Sequence, residues 1–305
     1  MDVIFTGHTH KQYAWSAPVP GVDGKTRPVL QTGSYGEFIG RVVLDYDPAT
    51  DEVLAHTETN VARTAVPDDL LTVAYPRVAE VKEIVDDAIE YATVVGNEPV
   101  GSITADITTA FAGGSYVNGV YVGSGPLPTT GRDDRANEST LGDLVANSLR
   151  DSLAPENLGG AEIGVVNPGG LRAELLFAKS GLESEDGVVT YAEANSVLPF
   201  VNNLWTTTLT GEQFTTMLEQ QWQRDANGNV PSRPYLQLGL SDNVTYTYDP
   251  TLPEGSRITS VTVNGEPLDP AATTASGRSR SWRPVATTSG CSPRHRHARL
   301  GSDRP

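Results

Sequence analysis

The chain has 305 residues, 38% of them hydrophobic, a mean hydropathy of −0.29 and a formal charge of −16. That length is enough for about two domains, each able to bury its own core, and the acidic balance argues against general nucleic-acid binding, which needs a basic footprint. A single cysteine, Cys291, excludes an internal disulfide and any Cys-rich zinc module, and no apolar run approaches the ~18–20 residues of a membrane span.

In chain order, residues 2–6 read as a buried strand. The start of the chain has neither the basic region nor the apolar core of a secretory signal, so any export address is expected upstream of Met1. "GHTH" follows. Side chains at i and i+2 on a strand point the same way, so His8 and His10 can aim both imidazoles at one place where strand gives way to loop. Gly7 lets the backbone come close, and imidazole suits zinc or manganese. Taken alone, the pair reads more simply as two satisfied loop histidines.

A β-rich run comes next. Val29 and Leu30 start one strand, Phe38–Asp45 form another, and "DPATDE" is a turn. His56 sits in a strand-like run and reads as an ordinary residue. Pro67 precedes a long helical stretch to about Val95, where Val78, Val81, Ile84, Val85, Ala88, Ile89 and Ala92 keep helical spacing. That stretch reads as a connector between domains.

After "GNEP" the composition turns to Gly, Ser and Thr, and residues 100–136 suggest strands with a long loop. A helix is expected from about Ser139 to Leu153, with Leu141, Leu144, Val145 and Leu149 on one face. "AEIGVV" reads as a short strand ending at the turn "NPGG". Extended chain, a strand at Leu204–Leu209 and a helix capped by Thr210 follow. Asn264-Gly265 marks a late hairpin.

Residues 272–305 break the pattern. They hold seven Arg, no Lys and one acidic residue, Asp303, a net of +6, and removing this from −16 leaves −22 for residues 1–271. No apolar period is visible there, so no packed structure is expected. A basic arm for an acidic partner is one reading; out-of-frame translation at the end of a GC-rich gene is the preferred one.

Four further residues carry candidate chemistry. Arg135 and Arg172 are fixed cations suited to phosphate oxygens through forked hydrogen bonds. Arg135 taken alone is better read as a surface ion pair. Arg172 follows a Gly-rich turn whose exposed N–H groups also favour an anion. Asn167 starts that turn and reads first as a turn-maker, and Phe200 reads first as a core residue.

Taken together these segments resemble a known family. "DVIFTGHTHKQY", followed by "VLQTGSYGEFIGRVVLDYD", resembles the closing motif of the calcineurin-like metallophosphatase domain in the 5'-nucleotidase family. "NESTLGDLVANSLRDSL", "VVNPGGLRAELL" and "NSVLPFVNNLWTTTLTGEQFTTMLEQQW" resemble successive motifs of that family's C-terminal nucleotide-binding domain. The resemblance covers roughly residues 1–271. It implies an α/β (α+β) chain: the C-terminal edge of a metallophosphatase β-sandwich in 1–65, a linker helix in 66–96, and a mixed α/β substrate-binding domain in 97–271. A disordered basic tail in 272–305 completes it.

The resemblance also implies roles. His8 and His10 would be ligands in a centre of two divalent metal ions such as zinc or manganese. Arg135 and Arg172 would bind the substrate's polar end, Asn167 would face the base, and Phe200 would form one face of a stacking slot beside Asn202. The implied partner is a small-molecule nucleotide or nucleoside, and the implied reaction is hydrolysis to nucleoside plus phosphate. Export to the cell wall or beyond goes with the family. Alternatives are a non-catalytic nucleoside-binding module, or the same enzyme class acting on 2',3'-cyclic nucleotides or nucleotide sugars.

Two departures stand out. The family's other metal ligands, in Asp-x-His and Asn-His-Asp or Asn-His-Glu motifs with a bridging Asp and a further His, are missing, and are expected before residue 1. Two ligands cannot fix two metals, so this chain is expected to be an inactive fragment. The match also stops at "NGEPLDPAAT", where a second aromatic and an Asp should close the slot.

Overall fold

Runs of β-branched and aromatic residues form the strands near the N-terminus. Here β1 (Ile4–Phe5), β2 (Gln12–Pro18) and β3 (Thr26–Thr32) make a sheet in the order β1-β3-β2, with β1 parallel and β2 antiparallel to β3. A hairpin of β4 (Phe38–Asp47) and β5 (Glu52–Ala62) follows. The Asn60 amide ties it to the sheet by donating to the carbonyls of Tyr13 (3.1 Å) and Gln31 (2.9 Å). Leu30 and Gln31 are buried at the centre of this unit. The expected buried strand at residues 2–6 is shorter than its apolar run, and Phe5 is 64% exposed, because β1 is an edge strand paired on one side only.

The structure, a computed structural model, describes all residues except 113–114, 118–119, 123–130, 181–182, 272–283 and 287–305. The chain divides into two compact units, Met1–Ala88 and Ile89–Pro305. The long helix expected after Pro67 is two helices, α1 (Asp68–Ala74) and α2 (Pro76–Gly96). Between them Tyr75 is extended (φ −130°, ψ 100°). A residue before proline is driven out of the helical region by the proline ring. The apolar stripe of α2 stays largely exposed, as Ile84 and Ile89 show.

The second unit is mixed α/β. It opens with β6 (Pro99–Ser102), β7 (Ser115–Val117) and β8 (Val120–Val122), then α3 (Thr140–Leu153) and β9 (Ile163–Val166). Next come β10 (Val188–Thr190), α4 (Tyr191–Val197), β11 (Trp205–Thr206) and α5 (Gly211–Glu219). The last elements are β12 (Gly239–Leu240), β13 (Val244–Tyr248), β14 (Ile258–Val263), β15 (Glu266–Pro267) and β16 (Pro284–Ala286). β10 pairs with β6 and β7 with β8, and two larger sheets run in the orders β11-β16-β9-β12 and β13-β14-β15.

All four residues of β9 are buried, and the strand serves two cores. Val166 packs with Leu141, Val145 and Leu149 of α3, while Ile163 and Val165 pack with Phe214 and Leu218 of α5 and Val261 and Val263 of β14. The Ser139 hydroxyl caps α3 by accepting from the Gly142 N–H (3.0 Å), as its position predicts. Leu144, expected on the buried face, is 40% exposed, and Ala146 is fully buried in its stead. The reason is a close approach. A Cβ added at Gly164 would fall on the Ala146 carbonyl, so α3 rests on the bare backbone of β9 and only a small residue fits there.

The Thr210 cap of α5 is a full capping box with Gln213, and Asn264-Gly265, both at positive φ (55° and 79°), turns β14 into β15. Of residues 272–305 only Pro284–Ala286 are described, as a strand whose backbone pairs with β9 and β11. Apolar spacing does not announce this strand; the ladder groups on the edge of β9 give it a partner. The rest of the basic stretch lies outside the described residues.

Candidate functional site

The turn after β9 organises the site. Asn167 caps a short 3-10 turn at Pro168–Gly170, its Oδ1 accepting from the Gly169 N–H (2.8 Å). The turn-making role expected of it is therefore what the backbone uses. Leu171 then drops into the core, and the Arg172 N–H donates to the Val197 carbonyl (2.9 Å) at the end of α4. That bond draws the turn to the loop beyond α4, where Phe200 lies. The Arg172 Cζ sits 5.8 Å from the Phe200 ring centroid, within cation–π range.

Phe200 is 54% exposed, so it is not the core residue that is the default for phenylalanine. Next to it Val201, β-branched, holds φ 48°. A β-branched residue in the left-handed region is a backbone outlier, and such strain gathers at functional sites. Asn202 is exposed and makes no hydrogen bond among the described residues.

Arg135 approaches the same turn from before α3. Its carbonyl accepts from the Gln237 N–H (2.8 Å), and its side chain is clamped by Asp133 through Nε and Nη2. The ion pair read from sequence is present, but it is not a loose surface pair: the two side chains are 19% and 20% exposed. Its Nη1 lies beside Gly169, where an added Cβ would sit 2.9 Å from Nη1 and 3.3 Å from Asn167 Oδ1. Thus the structure gathers Arg135 with Asn167 at one end of the turn and Arg172 with Phe200 at the other.

Three residues here, Arg132, Asp133 and Glu174, are not singled out by the sequence. Glu174, its side chain 4% exposed, accepts from the N–H (2.5 Å) and hydroxyl (2.7 Å) of Thr109 and pairs with Arg132 Nε. The doublet Asp133-Asp134 between Arg132 and Arg135 was the available signal for a clamp. Glu174 has no local signal, because its partners are distant in sequence.

In the first unit, His8 (φ 70°) and His10 (φ 57°) lie on an exposed loop after β1, not on a strand. The i, i+2 argument for a common direction does not apply to left-handed loop residues. His10 meets Tyr35 edge-on, with centroids 6.3 Å apart. His56 is ordinary, as expected: Nδ1 pairs with Glu58 (2.8 Å) and Nε2 with the Thr26 hydroxyl (3.0 Å). Among the described residues no group of three or more His, Cys, Asp or Glu side chains could hold a metal ion. The residues present do not fit a two-metal centre by themselves. Nor is any described helix long and apolar enough to cross a membrane.

Fold and site together define a mixed α/β domain with a cation-and-aromatic turn open to solvent. Residues 119–273, half of the chain, match the family described as the 5'-nucleotidase C-terminal domain, and the chain belongs to that family. It is 28% identical over 230 residues to the trifunctional nucleotide phosphoesterase protein YfkN of Bacillus subtilis, covering 75% of this chain and 13% of that one. It is 25% identical over 278 residues to the cell wall protein Lmo0130 of Listeria monocytogenes, covering 88% and 29%. The chain therefore spans less than a third of the length of these curated relatives. Among solved structures it is similar to a 5'-nucleotidase precursor from Thermus thermophilus (21% identity, 93% of this chain, 48% of that one, TM-score 0.43). It is also similar to a putative 5'-nucleotidase from Staphylococcus aureus (16%, 93% and 46%, TM-score 0.48).

Proposed function

We propose that the turn at Asn167–Arg172 and the loop at Phe200–Asn202 bind the nucleoside of a nucleotide, in a hydrolase of the 5'-nucleotidase type. The observation that supports this most is the half-exposed Phe200 ring with the Arg172 guanidinium over it. A base stacks on such a ring whatever its identity, gaining about 1–3 kcal/mol, and Arg135 and Arg172 take the polar end. Asn167, whose Oδ1 already serves the turn, has its amide N–H groups left for the base. Asn202 completes the slot beside Phe200.

His8 and His10 are proposed as two contributors to a larger centre of divalent metal ions, zinc or manganese. When bound, that centre would supply an activated water for phosphoester hydrolysis. The share of this chain's second unit is to hold and orient the nucleoside. Cell-wall or extracellular placement is proposed by analogy with the Listeria relative, a cell wall protein.

Calorimetric titration of residues 1–305 with adenosine and AMP tests the binding reading. Micromolar affinity that falls in Phe200→Ala supports it; absence of binding to both ligands rejects it. A phosphate-release assay with AMP and Mn²⁺ or Zn²⁺ should show nothing above buffer, because two imidazoles cannot fix two ions. Vigorous turnover would overturn that expectation.

A further inference from the structure

We propose that Asp133 is a specificity-determining residue: it fixes the direction of the Arg135 guanidinium and cancels its charge, so the site prefers a nucleoside monophosphate to a nucleoside polyphosphate. This rests on the nucleotide-binding reading above.

The geometry is a side-on fork. Arg135 Nε donates to Oδ1 (3.0 Å) and Oδ2 (2.8 Å) of Asp133, and Nη2 donates to Oδ2 (2.6 Å). Asp133 reaches this position from a left-handed backbone, φ 63°, which Asp and Asn adopt more readily than other side chains. With that edge of the guanidinium occupied, one N–H of Nη2 and both of those on Nη1 are left to meet a ligand. Nη1 has no hydrogen-bond partner among the described residues and it lies beside Gly169 and the Asn167 side chain. A clamped guanidinium donates in one direction, whereas a free one swings toward any anion.

Charge follows the same pattern. Arg132 is paired with Glu174 and Arg135 with Asp133. Arg172, over Phe200, has no carboxylate partner among the described residues. Of the two guanidinium groups at the turn, only Arg172 thus keeps its positive charge without a carboxylate partner among the described residues. Such a site suits a ligand with one phosphate, and it offers little to offset the several charges of a triphosphate in a chain that is acidic elsewhere.

The test titrates the 305-residue protein with AMP and with ATP in buffer containing EDTA, for the wild type, Asp133→Asn and Arg135→Ala. Asn keeps the shape and tolerates the same φ while removing the charge; Asp133→Gly, which accepts that φ without strain, serves if the Asn variant does not fold. The wild type should favour AMP. Asp133→Asn should shift the ratio of affinities toward ATP by about fivefold or more, because an unpaired cation is exposed to the ligand, and added salt should shrink that shift. A merely structural role would weaken both ligands alike, so an unchanged ratio overturns the inference and leaves the nucleotide reading standing. AMP binding that is indifferent to Arg135→Ala overturns it equally. A wild type that binds adenosine, AMP and ATP not at all overturns the nucleotide reading itself, and this inference with it.

Discussion

Arg172 and Phe200 meet as a cation over an aromatic face, the guanidinium carbon 5.8 Å from the ring centroid, on a ring that is half exposed. At an exposed site the contact itself contributes about 0.5–1 kcal/mol, too little to explain why a large apolar side chain is left in solvent. A base stacked on the ring would supply the missing burial. Phe200→Ala should therefore weaken adenosine binding by about 1–3 kcal/mol and leave the unfolding temperature nearly unchanged. Calorimetry and a thermal melt check the pair of outcomes; equal affinity in wild type and variant would remove Phe200 from the site.

Gly169 faces Arg135. A methyl group there would press on Nη1 (2.9 Å) and on Asn167 Oδ1 (3.3 Å), both ends of side chains rather than backbone. The protein can yield by moving the guanidinium, so Gly169→Ala should change stability by less than about 1 kcal/mol. AMP affinity should drop about tenfold because the donor is misplaced. Urea unfolding and titration of the same preparation separate the two effects.

Gly164 is the opposite case. Its added Cβ would meet the Ala146 carbonyl, which belongs to the backbone of α3 and cannot swing aside. Gly164→Ala should cost about 3 kcal/mol by forcing α3 off β9, seen as a lower urea midpoint. A variant as stable as the wild type would show that the helix does not rest on that strand.

Asp143 lies in the first turn of α3 and lines a cavity of about 490 Å³ with Glu138, Tyr246 and Tyr248. Burial raises its pKa to about 7 and the Glu138 charge adds to the rise, against a backbone hydrogen bond from Leu240 that lowers it. At Asp143 the folded protein then binds the proton more tightly than the unfolded chain, so this group's contribution to stability is greatest below the ordinary carboxylate range. That contribution falls as pH rises from about 4 to about 7 and levels off above. Asp143→Asn should abolish this slope and stabilise the protein at pH 8 by about 2–4 kcal/mol, with little gain at pH 4. Melts at the two pH values decide it; an equal effect at both would mean that Asp143 is ionised throughout.

The sequence by itself determined the local structure. Ser139 and Thr210 cap helices because their hydroxyls can accept from the backbone N–H three residues on, and Asn264-Gly265 turns a hairpin because both residues tolerate positive φ. The order of the C-terminal family motifs, from "NESTLG" to "LTGEQF", was likewise legible, since motif order is a property of the chain. Tertiary structure decided what touches what. Leu144 and Ala146 are equally placed by helical period, and only the bare backbone at Gly164 selects the small residue for burial. The Glu174–Arg132 pair joins residues far apart in sequence, and Arg172 meets Phe200 where a backbone bond ties Arg172 to the end of α4. Periodicity and capping act over a few residues and are written locally. Pairing across the fold is settled by which surfaces remain to be covered once the helices and strands have formed.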